Sequence, residues 1–343
     1  MLNRYNITPR SPIMTPLMSD TIFGHFCWAI LYSKGEDFLQ DFLDSFGDER
    51  PAPVLFSSAF LSGHLPRPDL PSLSRDSVKK CVNEHFGQDK KAQYEGYSRI
   101  KAWNKIRLVS LKQWQDLKDG YSDEKLYEAF FSDDVQTGHS NFELKEVSAS
   151  NMINRISGSV EQEGGGLFQR EKIWYREGVD LDLYVEVNEQ EFADIVNWFL
   201  VDYLPDHGFG ADKSLGMGSL SITHDTGFDQ NMFQVEDPNA RLSLSMVSFM
   251  GMEKCNALYR LKTKFGKLGG SFAFFSPTGG NPKPFKKPVL MYESGAVFLS
   301  SESLNNKPLL ENVHSDSRIR HCGIPVTLPF KTREDSIYGS AAA

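Results

Sequence analysis

Glu189-Gln-Glu-Phe-Ala-Asp-Ile-Val-Asn-Trp-Phe-Leu-Val-Asp-Tyr-Leu204, then Pro205-Asp206, then His207-Gly-Phe-Gly-Ala-Asp-Lys-Ser-Leu-Gly-Met-Gly218, then Ser219-Leu-Ser-Ile-Thr223, is the stretch that orders the rest of the chain. Phe192, Ile195, Val196, Phe199, Leu200 and Tyr203 recur at three- and four-residue spacing, with acids in the first turn and Pro205 just past the end. That pattern predicts a helix over 189–204. Ser219–Thr223 reads as a strand, so the segment between them is a helix-to-strand loop. It carries four glycines, Gly208, Gly210, Gly216 and Gly218, which lets the backbone turn left-handed and approach a ligand closely. Lys213 and Ser214 at its centre suit a phosphate or a ribose. The spacing matches neither a Walker A loop nor a dinucleotide fingerprint. A flexible turn with no ligand is the alternative.

Working outward, Leu181–Val187 alternates apolar residues with Asp182, Tyr184 and Glu186 and reads as a half-buried strand. At the N-terminus, residues 3–10 read as an edge-type strand. Ser19 is placed to cap a helix over 20–33, with Asp20 in its first turn and Ile22, Phe23, Phe26, Cys27, Ile30 and Leu31 on one stripe. Val54–Phe60 is a short apolar run between prolines, hence a buried strand. Residues 70–140 are polar and weakly periodic, an insertion with short helices, one at 123–131. The order is β-α-β, insertion, β-α-β. It predicts an α+β fold whose first unit, residues 1–225, is ferredoxin-like (RRM-like) with an insertion at about 70–140. Residues 226–239 read as a linker. Residues 240–335, with strands at Arg241–Met250, Lys287–Leu299 and Gly323–Phe330, read as a second, degenerate ferredoxin-like domain in tandem. Gly339–Ala343 reads as an appended tail.

The 343 residues include 40% hydrophobic and 24% charged side chains, ordinary for a globular chain and too apolar for disorder. No run approaches the roughly 18 apolar residues of a membrane span, and no secretory leader is visible at the start. The cysteines Cys27, Cys81, Cys255 and Cys322 are far apart, which argues against a zinc ribbon or disulfide scaffold and fits a reducing cytoplasm. Net charge is −8, but unevenly spread. Arg75–Lys112 holds ten Lys/Arg against four acids, and Lys254–Leu290 holds eight and no acid. Such segregation fits a phosphate-binding surface; two solvated basic loops are the alternative.

Asn151–Gly158, with the step Asn154-Arg155, leads into Gly164–Tyr175, a glycine-rich hairpin tipped with Leu167 and Phe168. Arginine beside exposed rings suits single-stranded RNA; a plain surface hairpin with no ligand is the alternative. For catalysis, His25 is the one candidate general acid/base on the first helix, with Lys213 or Tyr175 as partners; between Phe23 and Phe26 it reads better as a structural histidine. His207 reads as an RNA contact or turn residue. The pairs His224-Asp225 and His314/Asp316 lack metal-ligand spacing, Asp133-Asp134 reads as solvated, and no nucleophile constellation is found. No metal or cofactor is expected.

Ser19–Trp28, Phe56–Phe60, Leu65-Pro-Arg-Pro68, Asn154-Arg155, the Gly-Gly-Leu-Phe hairpin and the loop 208–218 together resemble the RAMP superfamily of CRISPR proteins. In particular they resemble the subunit that caps the crRNA 5′ end in type III-A (Csm) interference complexes. Lys286–Phe298 and His321–Pro325 resemble that family's second domain. The resemblance implies two ferredoxin-like domains gripping the crRNA 5′ handle. It also implies docking to a large polymerase-like subunit and a backbone RAMP subunit, with target RNA met only indirectly and no membrane. It implies RNA contacts at Gly208, Gly210, Lys213, Ser214, Gly216, Gly218, Asn154 and Arg155, and a non-catalytic role in antiviral defence; His207 and Phe168 join them as candidate RNA contacts on the reading of the residues themselves. The rival class is a metal-independent endoribonuclease that processes precursor crRNA. The long basic insertion departs from the family, so the resemblance assigns it nothing.

Overall fold

The computed structural model describes residues 1–132, 142–151, 153–160, 166–250, 252, 255–273 and 283–333. The Gly339–Ala343 tail, the Asp133-Asp134 pair, Lys254 and the Gly164-Gly165 start of the hairpin lie outside the described residues.

The first unit opens with β1 (Leu2–Pro9), α1 (Ser19–Lys34), α2 (Glu36–Asp44), β2 (Val54–Phe56) and β3 (Phe60–Leu61). The insertion follows: β4 (His64–Pro66), α3 (Arg75–Phe86), α4 (Lys90–Trp103), β5 (Leu108–Ser110), α5 (Leu111–Leu117) and α6 (Asp123–Ser132). After it come the hairpin β6 (Glu143–Asn151) and β7 (Leu167–Tyr175), then β8 (Leu181–Val187), α7 (Glu191–Trp198), α8 (Leu204–His207) and β9 (Leu220–His224). The main sheet runs β2-β8-β1-β9, all pairs antiparallel, with β3 also on β8. Helix α1 joins β1 to β2, and α7 with α8 joins β8 to β9, so the unit has the expected β-α-β-β-α-β connectivity.

Several local expectations are corrected. β1 is central rather than an edge, because β8 and β9 take its two sides. β8 is covered on both faces rather than half-buried: Tyr184 lies under Phe228 and Phe233, from the polar segment read as a linker. Asp182 is buried beside it and accepts from the Ser62 hydroxyl at 2.9 Å and the Gly63 amide at 2.8 Å. The two bonds offset the cost of taking a carboxylate out of water. The expected Val54–Phe60 strand is broken into β2 and β3. The expected helix 189–204 is interrupted by a π-turn over Phe199–Tyr203. Phe199 and Leu200 sit in the core there, and Tyr203 is half-buried against it.

The other helical face of the sheet is an aromatic core. The Phe26 ring meets Phe42, Phe56 and Phe199 with centroids 5.1–5.5 Å apart. All four side chains are buried.

The second unit contains β10 (Ala240–Ser243), β11 (Val247–Ser248), β12 (Ala257–Leu258), β13 (Leu261–Lys264), β14 (Val289–Tyr292), β15 (Val297–Phe298) and β16 (Thr327–Phe330). They form two antiparallel sheets, β12-β15-β10-β16 and β11-β14-β13. Among its described residues there is no α-helix, only a 3₁₀ turn at Gly270–Ala273. The core is continuous across the units, with Leu242, Leu244, Val326, Leu328 and Phe330 in the same cluster as Phe26 and Leu183. Ser19 corrects a further expectation: it is the first helical residue after the extended Met18 and makes no side-chain cap. Its hydroxyl instead accepts the Met246 amide at 2.9 Å, tying α1 to the second unit.

Candidate nucleic-acid interface

All four glycines of the loop have φ between +71 and +80°. Only two positions are sterically closed to a side chain. A Cβ on Gly218 would fall 1.9 Å from the Phe209 carbonyl oxygen, and one on Gly210 would fall 2.9 Å from the Thr15 Cβ. The Phe209 amide donates to the Gly218 carbonyl at 2.8 Å, which closes the neck of the loop. Around Gly216 there is open space, so only its backbone angle asks for glycine.

The loop is held from the segment after β1 and from α1. Gly218 N–H donates to the Pro12 carbonyl at 2.8 Å, and Ser219 N–H to the Ser11 hydroxyl at 2.9 Å. Ala211 N–H donates to the Thr15 hydroxyl at 3.3 Å, and Gly210 N–H to His25 Nε2 at 3.1 Å. The imidazole also packs on the fully buried Phe209 ring, centroids 4.6 Å apart. An acceptor nitrogen must be unprotonated. Burial, together with the nearby Lys213 ammonium, lowers the His25 pKa to about 4, which keeps it so. His25 thus shapes the loop. With these amides used inward, what faces solvent is the tip: Lys213, Ser214, Leu215 and Gly216.

The hairpin stands beside this tip. Ile173 on β7 exchanges backbone hydrogen bonds with Ile13, at 2.9 and 3.0 Å, just before the loop's anchors. Arg170, two residues from the Phe168 ring that lies 5.0 Å under its guanidinium, reaches Asp212 of the loop at 3.4 Å. Phe168, Arg170, Asp212 and Lys213 are therefore neighbours. Asn154 and Arg155 sit elsewhere, past the Asn151–Leu167 pair at the hairpin's far end. There the Asn154 side-chain Oδ1 accepts the Ile156 amide at 2.9 Å and shapes the turn, and Arg155 is exposed, as are Ile153 and Ile156. His207 ends α8 with its ring stacked on Tyr203, centroids 4.0 Å apart, and Nδ1 2.9 Å from the Tyr203 carbonyl.

Of the two basic segments, 254–290 spends three of its cations inside the fold, while Lys267, Lys283 and Lys287 are exposed. Lys264 pairs with the buried Asp20 at 2.5 Å, Arg260 with Asp69 at 2.7 Å, and Lys286 bonds the Arg320 carbonyl at 2.8 Å. In 75–112, by contrast, every lysine and arginine is exposed. Tyr175, weighed as a catalytic partner, stacks on Phe142, and burial raises its pKa. Among the described residues no group of three or more His, Cys, Asp or Glu side chains converges on a metal-sized site.

Sequence reading missed Ser11, Thr15, Phe209, Asp212 and Arg170. Thr15 lies 196 residues from its partner Ala211, and no local pattern joins such positions.

No family model matches the chain, and no curated protein does. Solved structures do. A "Csm3-Csm4 subcomplex in the type III-A CRISPR-Cas interference complex" matches with TM-score 0.58 and 12% identity, covering 96% of this chain and 99% of that chain. A "Csm1-Csm4 cassette in complex with cA4" matches with TM-score 0.55 and 16% identity, and one "in complex with one ATP" with 0.52 and 14%; each covers 97% of this chain and 100% of the other. The chain shares their fold over its whole length, in agreement with the RAMP resemblance drawn from the sequence.

Proposed function

We propose that this chain is a non-catalytic RNA-binding subunit of a type III CRISPR effector complex, gripping the 5′ handle of crRNA. In this reading it joins a large polymerase-like subunit to the backbone RAMP filament, and its second unit is a degenerate ferredoxin-like domain. The observation that carries it is the full-length likeness to both Csm1-Csm4 and Csm3-Csm4 structures, whose common component is Csm4. The site supports it: a lysine and a hydroxyl sit on an exposed tip whose neck is rigidly hydrogen-bonded, beside an arginine and a ring on β7. Backbone held open by glycine, a cation and a stacking surface are what a single-stranded RNA end requires.

The endoribonuclease reading would rest on His25 next to Lys213. It is the weaker one, because the His25 acceptor nitrogen is engaged by the Gly210 amide and its proton affinity is far below neutral. A tagged pull-down with sequencing of bound RNA tests the choice. RNAs sharing one 5′ stretch and differing beyond it, recovered with two further subunits, are expected, and Lys213→Glu or Arg155→Glu should reduce their yield. Normal guide retention in both variants would overturn the site. Repeat RNA cut at one position on an uncomplexed chain would favour the nuclease.

A further inference from the structure

Helix α4 presents a face that the handle reading leaves without a role. Gly96, Ile100 and Trp103 form its buried side, and a Cβ on Gly96 would fall 2.7 Å from Val82, so α3 and α4 pack closely there. Opposite, at four-, seven- and eleven-residue spacing from Lys90, stand Tyr94, Tyr97 and Lys101, continued by Lys105 just past the helix. Tyr94 is 79% exposed and Tyr97 43%. The helix has one acid, Glu95, which lies off this stripe and pairs with Arg99 at 3.5 Å. Among the described residues, Lys90, Lys91, Lys101 and Lys105 have no carboxylate partner.

A helix face that only keeps a protein soluble intersperses both signs and few large rings. This one alternates cations with open tyrosine faces and excludes acids, while the chain as a whole is at −8. The other acid-poor segment commits Arg260, Lys264 and Lys286 to internal bonds. In 75–112 every lysine and arginine is exposed and, among the described residues, only Arg99 is in an ion pair, so the α3–α4 insertion carries the larger share of unspent positive charge. We infer that the Lys90–Tyr94–Tyr97–Lys101 stripe of α4 is a second binding surface for single-stranded RNA, with bases stacked on the tyrosines and phosphates on the lysines. The inference does not rest on the handle site, which lies on other elements.

The test is fluorescence anisotropy of the purified full chain with an end-labelled single-stranded RNA of mixed sequence, at several salt concentrations. The Lys90→Gln/Lys101→Gln pair should weaken binding roughly tenfold at low salt and reduce the slope of log affinity against log salt by about 1.4, two phosphates' worth. Tyr94→Ala/Tyr97→Ala should weaken it at least about fivefold, and Tyr94→Phe/Tyr97→Phe should restore it, because stacking needs the ring and not the hydroxyl. All these positions are exposed, so thermal midpoints should stay unchanged. Unchanged affinity and salt slope in both pairs would overturn the inference. So would unchanged RNA binding with loss of a subunit from the assembled complex, which makes the stripe a protein-docking face. Lys213→Glu, measured alongside, separates failure of the handle site from failure of this one.

Discussion

His25 Nε2 accepts the Gly210 amide at 3.1 Å, so a side chain on the first helix sets the shape of a loop 185 residues later. Removing that acceptor leaves a half-buried N–H without a partner and strips the packing from Phe209. His25→Ala should cost about 1–3 kcal/mol, read by denaturant unfolding. Amide exchange at Gly210 and Ala211 should rise more than in the sheet. Unchanged exchange there would remove His25 from its structural role.

The same contact carries a pH dependence. The His25 pKa falls from 6.5 unfolded to about 4 folded, so between those values the unfolded chain binds more protons than the native one. The contribution is present in full above pH 6.5 and is lost as pH drops toward 4, by up to about 3 kcal/mol. His321, lowered to about 3 by burial and Lys286, acts in the same direction. His25→Gln, whose amide oxygen accepts at any pH, isolates the His25 share. Its stability should fall less steeply on acidification than that of the wild type, and parallel curves would refute the assignment.

Two glycines with nearly equal backbone angles should respond differently to the same substitution. Gly218→Ala drives a methyl group into the Phe209 carbonyl at the loop's closing bond, whereas Gly216→Ala meets nothing within 4 Å. The second should cost about 1–2 kcal/mol for the left-handed conformation alone. The first adds an irreducible clash with backbone and should cost well over that, with loss of the Phe209–Gly218 hydrogen bond. Equal unfolding midpoints for the two variants would mean that the neck has room for a side chain at Gly218.

What the sequence made legible follows from which interactions are local. Helical stripes, the glycine loop and the strand that follows it are written in neighbours three, four or two residues apart, and β-α-β-β-α-β followed from them. The burial of Tyr184 did not, because its cover comes from Phe228 and Phe233 in a segment whose composition is polar. Nor did the role of Ser19: a serine before an apolar stripe reads as a cap, and only the approach of Met246 converts its hydroxyl into a tie between units. In the basic run 254–290 the same reason hid two ion pairs, since Asp20 and Asp69, the counter-charges of Lys264 and Arg260, are about 190 or more residues upstream.

The Asp20–Lys264 pair ties α1 to β13 of the second unit. Asp20 is 4% exposed at its side chain and holds Lys264 at 2.5 Å, while the Thr21 hydroxyl accepts from the same ammonium at 3.0 Å. Lys286, whose ammonium burial drives toward the neutral form, lies close enough to feel the same carboxylate. Breaking a buried pair by removing one member strands the other charge and costs about 3–5 kcal/mol, more than the pair itself contributes. Asp20→Asn should therefore be strongly destabilising. The double variant Asp20→Asn/Lys264→Met, which removes both charges, should recover a large part of the loss. The cycle is read from denaturant midpoints of the two singles and the double. Additive effects would mean that Asp20 and Lys264 do not depend on each other for stability.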